Sequence, residues 1–425
     1  MPPAIATKLG IHQDGLCATH AQPLDAAAAR AENAPVALTV FEDLAEIESD
    51  WRAFERDADC TVFQSFDWLS LWQHHIGSLT GVRPAIIVGR DAAGTLLFIL
   101  PLATQRTGFA RELVWLGSDL CDFNAPLLSR RFSAQVGEQR FLKLWQTALD
   151  RLQDNERLRF DFVRLKKMPA MLGAQKNPML ALHTMLNPSG SYVTDLTDDW
   201  ETFYKAKRSS STRSRERTKR KRLAEFGSLA FVSASDSLTS LNTLMAQKSR
   251  SFARMGVSNI FEKPGHLAFY RALSTDPRTR SMVHISRLDC GDRPAAVNLG
   301  LTFRDTYYHL QASHDDGELG RFGPGAAHLN ELLRYAIERG FKYYDFTIGD
   351  EPYKRDWCDS AQPLYDHIAI ATGRGACVFL PMIAKNWLTR QIKQSPALWK
   401  FFSRARASVG SLLGRKRNSS DGAAR

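Results

Sequence analysis

The six residues Gly320-Arg321-Phe322-Gly323-Pro324-Gly325 restrict the fold more than any other stretch. Three glycines give a backbone that reaches left-handed conformations and lets another molecule approach closely. Pro324 suits the first turn of a helix, where no N–H partner is needed. From there Ala326, Leu329, Leu332, Leu333, Ala336 and Ile337 recur at helical spacing. Gly340 suits a left-handed cap, and residues 341–346, rich in aromatics, read as a strand. A glycine loop that opens a helix aims free N–H groups and the positive end of a dipole at one spot, which suits a phosphate. An ordinary strand–turn–helix–strand unit would look the same, so the loop is weighed with the elements around it.

Before the loop, residues 229–232 read as a strand and 237–254 and 266–274 as helices. Residues 200–226 read as one long helix or a helix pair that Gly227 stops. Residues 282–288, 295–303 and 306–312 form an antiparallel meander, the first two joined at Cys290-Gly291-Asp292-Arg293. After the loop helix and its strand comes the charged run from Asp350 and Glu351 to Trp357, then a last strand over 364–371. The first half has the same rhythm: early helices, a hairpin over 84–102, a strand over 113–117, a helix over 141–152, and strands over 158–165 and 192–196. Two copies of one plan follow, without a residue-level repeat. The expected fold class is α/β, an α+β sandwich of two tandem domains, each a mixed, mostly antiparallel sheet flanked by helices. Their expected bounds are 35–196 and 197–380, between an alanine-rich, disordered lead-in over 1–34 and a basic amphipathic tail over 381–425.

The 425 residues suffice for two domains, and the net charge of +11 is unevenly spread. Residues 205–222 hold ten Lys/Arg and one acid; residues 385–417 hold nine and no acid. These two patches exceed the total, so the rest of the chain is net acidic. The first patch is read as a solvated helix face, or as a site for an anionic glycan, a lipid head group or RNA phosphates. No aromatics interleave its cations, so stacking on single-stranded bases is not supported and nucleic acid is not the expected partner. The tail mixes Ile383, Trp387, Ile392, Leu398, Trp399, Phe401 and Phe402 with its cations. It either lies on an anionic membrane surface or packs on the domain as a helix with a frayed end. The six cysteines form no Cys-x-x-Cys pair, so neither a zinc site nor a disulfide framework is indicated. With no run of eighteen apolar residues and no signal-like start, the expected place is the cytoplasm, with peripheral contact at the inner face of the membrane as an option.

The element order resembles the GNAT acyltransferase fold, and particular residues extend the likeness. Phe63-Gln64-Ser65, Trp68 and Trp72, then Leu100-Pro101-Leu102, Leu116-Gly117 and the loop from Asp122 to Pro126, resemble the amino-terminal half of one GNAT branch. That branch is associated with cellulose biosynthesis and related to the Fem-type peptidyltransferases. In the second half Lys248 and Arg250 ahead of Gly256, Pro324-Gly325, Asp345-Phe346, Gly349-Asp350-Glu351 and Tyr353-Lys354 agree with it. The likeness covers about residues 40–380. It departs from the superfamily's pyrophosphate loop, Gln/Arg-x-x-Gly-x-Gly/Ala: after Arg321, Pro324 stands where the middle glycine falls.

The resemblance implies an acyltransferase with acetyl-CoA or another acyl-CoA as co-substrate and no metal. Arg321, Phe322, Gly323, Pro324 and Gly325 would hold the donor, and backbone of strands 306–312 and 295–303 its pantetheine arm and carbonyl. Acyl transfer needs positioning, a donor to the developing oxyanion and a base. Asp345, between Tyr344 and Phe346, is either that base, with a pKa raised by burial, or a structural carboxylate of a turn. Glu351 is the second candidate and Asp350 a third. His309 and His314 are read as core or surface histidines before catalytic ones. Lys248, Arg250, Tyr353 and Lys354 are candidates for binding the acceptor, against a reading of solvated side chains. The implied acceptor is an amine or hydroxyl of a small molecule, sugar, lipid or polysaccharide precursor, with a role in cellulose or exopolysaccharide production resting on family association alone. Two alternatives stay open: a Fem-like transferase that takes aminoacyl-tRNA, and a non-catalytic accessory that docks at a membrane synthase.

Overall fold

The computed structural model describes residues 35–383, apart from 118, 198, 234–236, 359, 360 and 382. The lead-in over 1–34 and the basic tail lie outside the described residues, apart from the tail's first residues. In chain order the strands are β1 (Ala37–Phe41), β2 (Arg83–Arg90), β3 (Leu96–Thr107), β4 (Ala110–Trp115), β5 (Leu127–Leu128), β6 (Phe162–Pro169), β7 (Met171–Leu172), β8 (Gln175–Lys176), β9 (Thr184–Leu186), β10 (Ser191–Asp195), β11 (Leu229–Ser233), β12 (Val283–Cys290), β13 (Arg293–Phe303), β14 (Thr306–His314), β15 (Tyr343–Ile348), β16 (Ala361–Gln362) and β17 (Leu364–Ile370). The longer helices are α1 (Glu48–Glu55), α2 (Phe66–Trp72), α3 (Glu138–Asp154), α4 (Trp200–Lys207), α5 (Ser210–Ala224), α6 (Ser237–Met255), α7 (His266–Thr275) and α8 (Pro324–Glu338).

Two sheets repeat one plan. The first runs β1-β2-β3-β4-β6-β17-β9, with β5 against β3; the second runs β11-β12-β13-β14-β15-β10-β16. In the first, β2, β3 and β4 form an antiparallel meander, and α3 crosses to β6, which pairs with β4 in parallel. In the second, β12, β13 and β14 do the same, and α8 crosses to β15, parallel to β14. Two mostly antiparallel sheets flanked by helices are thus the architecture, as the element order implied. The crossover helix α8 follows its sequence pattern: Leu329, Leu332, Leu333, Ala336 and Ile337 are buried, Pro324 opens it, and Gly340 follows it at φ 77°. Residues 200–226 resolve into the pair α4 and α5, with the Ser209 side chain capping the second.

The strand-to-domain assignment needs correction. Residues 192–196 were expected in the first domain, yet β10 lies in the second sheet, where Val193 pairs with Asp345. Residues 364–371 were expected in the second domain, yet β17 lies in the first sheet, pairing with β6 from Leu364↔Pro169 to Ile370↔Phe162. Each strand covers the edge that the other unit's parallel strand would leave open. Alternation along a strand shows which face is buried, but not which neighbour takes its hydrogen bonds.

The exchange is backed by a shared core. One buried cluster contains Phe63, Trp68 and Trp72 from the first half and Phe269, Leu299 and Tyr308 from the second. Trp68 meets Phe269 edge-on at 5.1 Å, and Phe63 meets Tyr308 at 5.9 Å. Gly265 enters α7 at φ 77°, where a β-carbon would fall 1.9 Å from the His75 carbonyl oxygen. Gly265→Ala is therefore expected to destabilise the chain by roughly 2–4 kcal/mol, from backbone strain plus overpacking. A drop in the urea midpoint checks this; an unchanged midpoint would mean the two halves do not meet here. Among the described residues no helix is long and apolar enough to cross a membrane.

Candidate functional site

The site is built where β14 and β15 part. Their parallel pairing covers only Thr306 to Tyr308 against Tyr343 to Asp345. Beyond that point β14 keeps to β13, while β15 keeps to β10 through a bulge. Thr347 marks the bend. Its φ is 60°, a conformation that β-branched residues rarely adopt, and its N–H donates to Asp345 Oδ1 at 2.7 Å. Strain of this kind persists only where the surroundings enforce it, and it gathers at functional sites.

Above the gap sits the glycine loop. Gly320–Phe322 forms a short 3-10 turn, and Gly323 at φ 66° hands over to α8. Pro324 has no N–H, and the N–H groups of Gly325 and Ala326 have no acceptor among the described residues. They point out of a fifteen-residue helix whose dipole adds to their pull on an anion. The loop's other side chains do structural work: Phe322 packs against Phe226 at 5.4 Å, and the Arg321 guanidinium lies over Phe322. The proline in place of the middle glycine is thus a helix-opening residue, and it leaves the cradle of N–H groups intact.

Below the loop, charged side chains from both halves converge. Asp345 is 5% exposed, and burial pushes its carboxyl up to about 7, with Asp122 adding to the shift and the Thr347 N–H and Lys354 opposing it. Burial likewise raises Asp122, against the pull of Lys167, the Thr347 hydroxyl and Lys354. Lys354 is 4% exposed; its ammonium donates to Ile348 O at 2.8 Å and pairs with Glu351 at 3.0 Å. Gly349, at φ 139°, makes room for this: a β-carbon there would lie 2.3 Å from Glu351 Oε2. Lys248 reaches in from α6 to Gln311 Oε1, and burial brings its ammonium down to about 8 despite Glu351 and Asp122. Lys167, also at positive φ, donates to Cys121 O at 2.8 Å, and its backbone binds that of Asn124 in the same loop.

Of the residues singled out in the sequence, Asp345, Glu351, Lys248 and Lys354 come together here. Arg250 does not. It sits two residues beyond Lys248, on another face of α6, and pairs with Asp316 at the surface. Tyr353 is 38% exposed, and its ring meets Phe346 edge-on at the border of the site. His309 is a core histidine: it bonds the Tyr344 hydroxyl at 2.8 Å, and burial first, then Lys354 and Lys248, holds it down at about 3. Lys354 is buried and paired rather than a solvated lysine. Asp122, Lys167 and Gln311 were not read as site residues. Asp122 stood within a quoted loop, but only the interleaving of the two halves brings it beside Thr347.

Residues 210–355 match the family model of the acetyltransferase (GNAT) domain. The matched stretch runs from α5 through β15, and so takes in the glycine loop, the crossover helix and most of the second sheet. The chain is similar in fold to FemX, with a TM-score of 0.53 at 11% identity over 76% of this chain and 96% of that one. A conserved protein from Bacteroides thetaiotaomicron VPI-5482 gives 0.47 at 11% identity over 79% and 100% of the two chains. L-PGS from Bacillus licheniformis gives 0.46 at 12% identity over 83% and 98%. No curated protein matches the sequence.

Proposed function

We propose that the chain is an acyltransferase that takes its acyl group from acyl-CoA and passes it to an amine or hydroxyl entering between the two halves. One observation supports this above the others: the β14–β15 gap lies between unsatisfied loop N–H groups and two carboxylates of raised pKa, the buried Asp345 and the half-buried Asp122. The residues present fit a thioester donor. Gly325 and Ala326 N–H groups suit its diphosphate, and the unpaired edge of β14 beyond Tyr308 suits an extended amide-bearing arm.

In this reading Asp345 accepts the acceptor's proton and becomes neutral, a change that the nearby Asp122 favours. Lys354, fixed by Ile348 O and Glu351, supplies positive charge where negative charge develops. Lys248 orients the acceptor through its remaining N–H bonds. The acceptor class we assign, a sugar, lipid or polysaccharide precursor, rests on the resemblance to the cellulose-associated branch. Aminoacyl-tRNA as donor is the second reading, favoured by the cations of α5.

Calorimetric titration with acetyl-CoA and longer acyl-CoAs tests the donor; no saturable binding to any of them would overturn the proposal. The pH profile tests the base. Asp345 must be ionised, so kcat/KM is expected to rise with pH through about 7; Lys248 must be charged, so it falls above about 8. Lys248→Met should raise KM and remove the alkaline limb alone. An alkaline limb that survives the substitution would take Lys248 out of the mechanism.

A further inference from the structure

A cavity of about 420 Å³ opens beside the glycine loop, between α4, α5 and α8. Six basic side chains and three acids line it. Two of the acids are already engaged: Glu216 by Tyr204 and Arg208, and Glu331 by Arg220 and Arg334. Lys205, Arg217 and Lys219 make no ion pair among the described residues. Helix α5 itself carries seven cations and one acid, with Arg213 and Arg217, Arg215 and Lys219, and Arg217 and Lys221 each four residues apart. Like charges at that spacing repel, so the helix is better satisfied with an anion against it.

The cavity wall and the loop are packed together. Leu223 of α5 and Leu319 are buried in one cluster, with Phe226, Phe322 and Ala327 packed on it. A β-carbon at Gly323 would lie 3.9 Å from Lys219 Cδ, so this lysine's stem runs directly past the loop. The chemistry recognised is phosphate and not a base. Trp200 is covered, since Tyr204 stacks on it at 4.9 Å and Arg334 lies over its ring at 5.5 Å.

We infer that this cavity takes the ribose 3′-phosphate of the CoA donor, held by Arg217 and Lys219, while the adjoining loop takes the diphosphate. This rests on the acyl-CoA reading above. A phosphate monoester carries close to two charges at neutral pH, which matches a site with several unpaired cations. It also assigns the cationic helix to donor recognition and leaves the acceptor side to the buried cluster.

The test is calorimetric titration of the full chain with CoA, dephospho-CoA and a single-stranded RNA ending in CCA. The wild type and the double variant Arg217→Gln, Lys219→Gln are compared. Both side chains are exposed, and the circular dichroism of the variant should match the wild type. CoA is expected to bind at least tenfold more tightly than dephospho-CoA to the wild type, and equally to the variant. Equal binding of the two to the wild type overturns this inference and leaves the acyl-CoA reading standing. Failure of both to bind overturns both. RNA binding that exceeds CoA binding and is lost in the variant overturns it in favour of the aminoacyl-tRNA reading.

Discussion

Gly325→Glu is expected to abolish saturable acyl-CoA binding while leaving the fold intact. The backbone at residue 325 is not left-handed, and a β-carbon there would meet only the His314 ring, at 3.3 Å, which has to give slightly. A carboxylate in the first turn of α8 is favourable to the helix dipole, so the melting temperature should hold or rise a little. The same carboxylate occupies the free N–H groups of residues 325 and 326 and repels a phosphate. A loss of at least a hundredfold in affinity, about 2.7 kcal/mol, is the expected result. Undiminished binding in the variant would remove the loop from the donor site, whatever the donor is.

Asp345→Asn is expected to lower kcat by about 10²–10⁴ while stabilising the protein near neutral pH. Asparagine keeps an oxygen for the Thr347 N–H and removes the proton acceptor. Below pH 4 Asp345 is protonated in both folded and unfolded states, so it contributes nothing to pH dependence. Between about 4 and 7 the unfolded chain has released this proton and the folded chain still holds it, so wild-type stability falls as pH rises. The variant lacks that decline. It should match the wild type at pH 4 and exceed it at pH 8 by about 2–4 kcal/mol in urea unfolding. A stability gain without loss of turnover would mark Asp345 as a structural carboxylate of the bend, and loss of both would mean that the asparagine does not fit.

How much of this was legible in the sequence depended on distance along the chain. The α8 helix, its proline start and its glycine end are local, and periodicity with turn chemistry describes them within a residue or two. Asp345, Glu351 and Lys354 stood out because charged residues beside aromatics and glycines in a short segment are rarely indifferent. Asp122, by contrast, has its pKa raised by burial and opposed by Thr347 and Lys354, more than 220 residues later, so its environment exists only in the assembled fold. Lys248 and Arg250 looked equivalent until the phase of α6 separated them. The places of β10 and β17 were hidden for the same reason, since the partner of an edge strand is chosen by the assembled sheet.

That exchange of strands also bears on how the protein is made. On the ribosome β6 is complete at residue 169, but the strand that closes its free edge ends at residue 370. At synthesis rates of 5–20 residues per second, the 201 residues between take roughly 10–40 s. For that time the first sheet waits with an exposed edge, which is the kind of surface that chaperones hold and neighbouring nascent chains invade. The two halves therefore reach their native state together, after the second half has left the exit tunnel. A stop codon placed between β16 and residue 364 would keep every strand of the second sheet and still leave the first without β17.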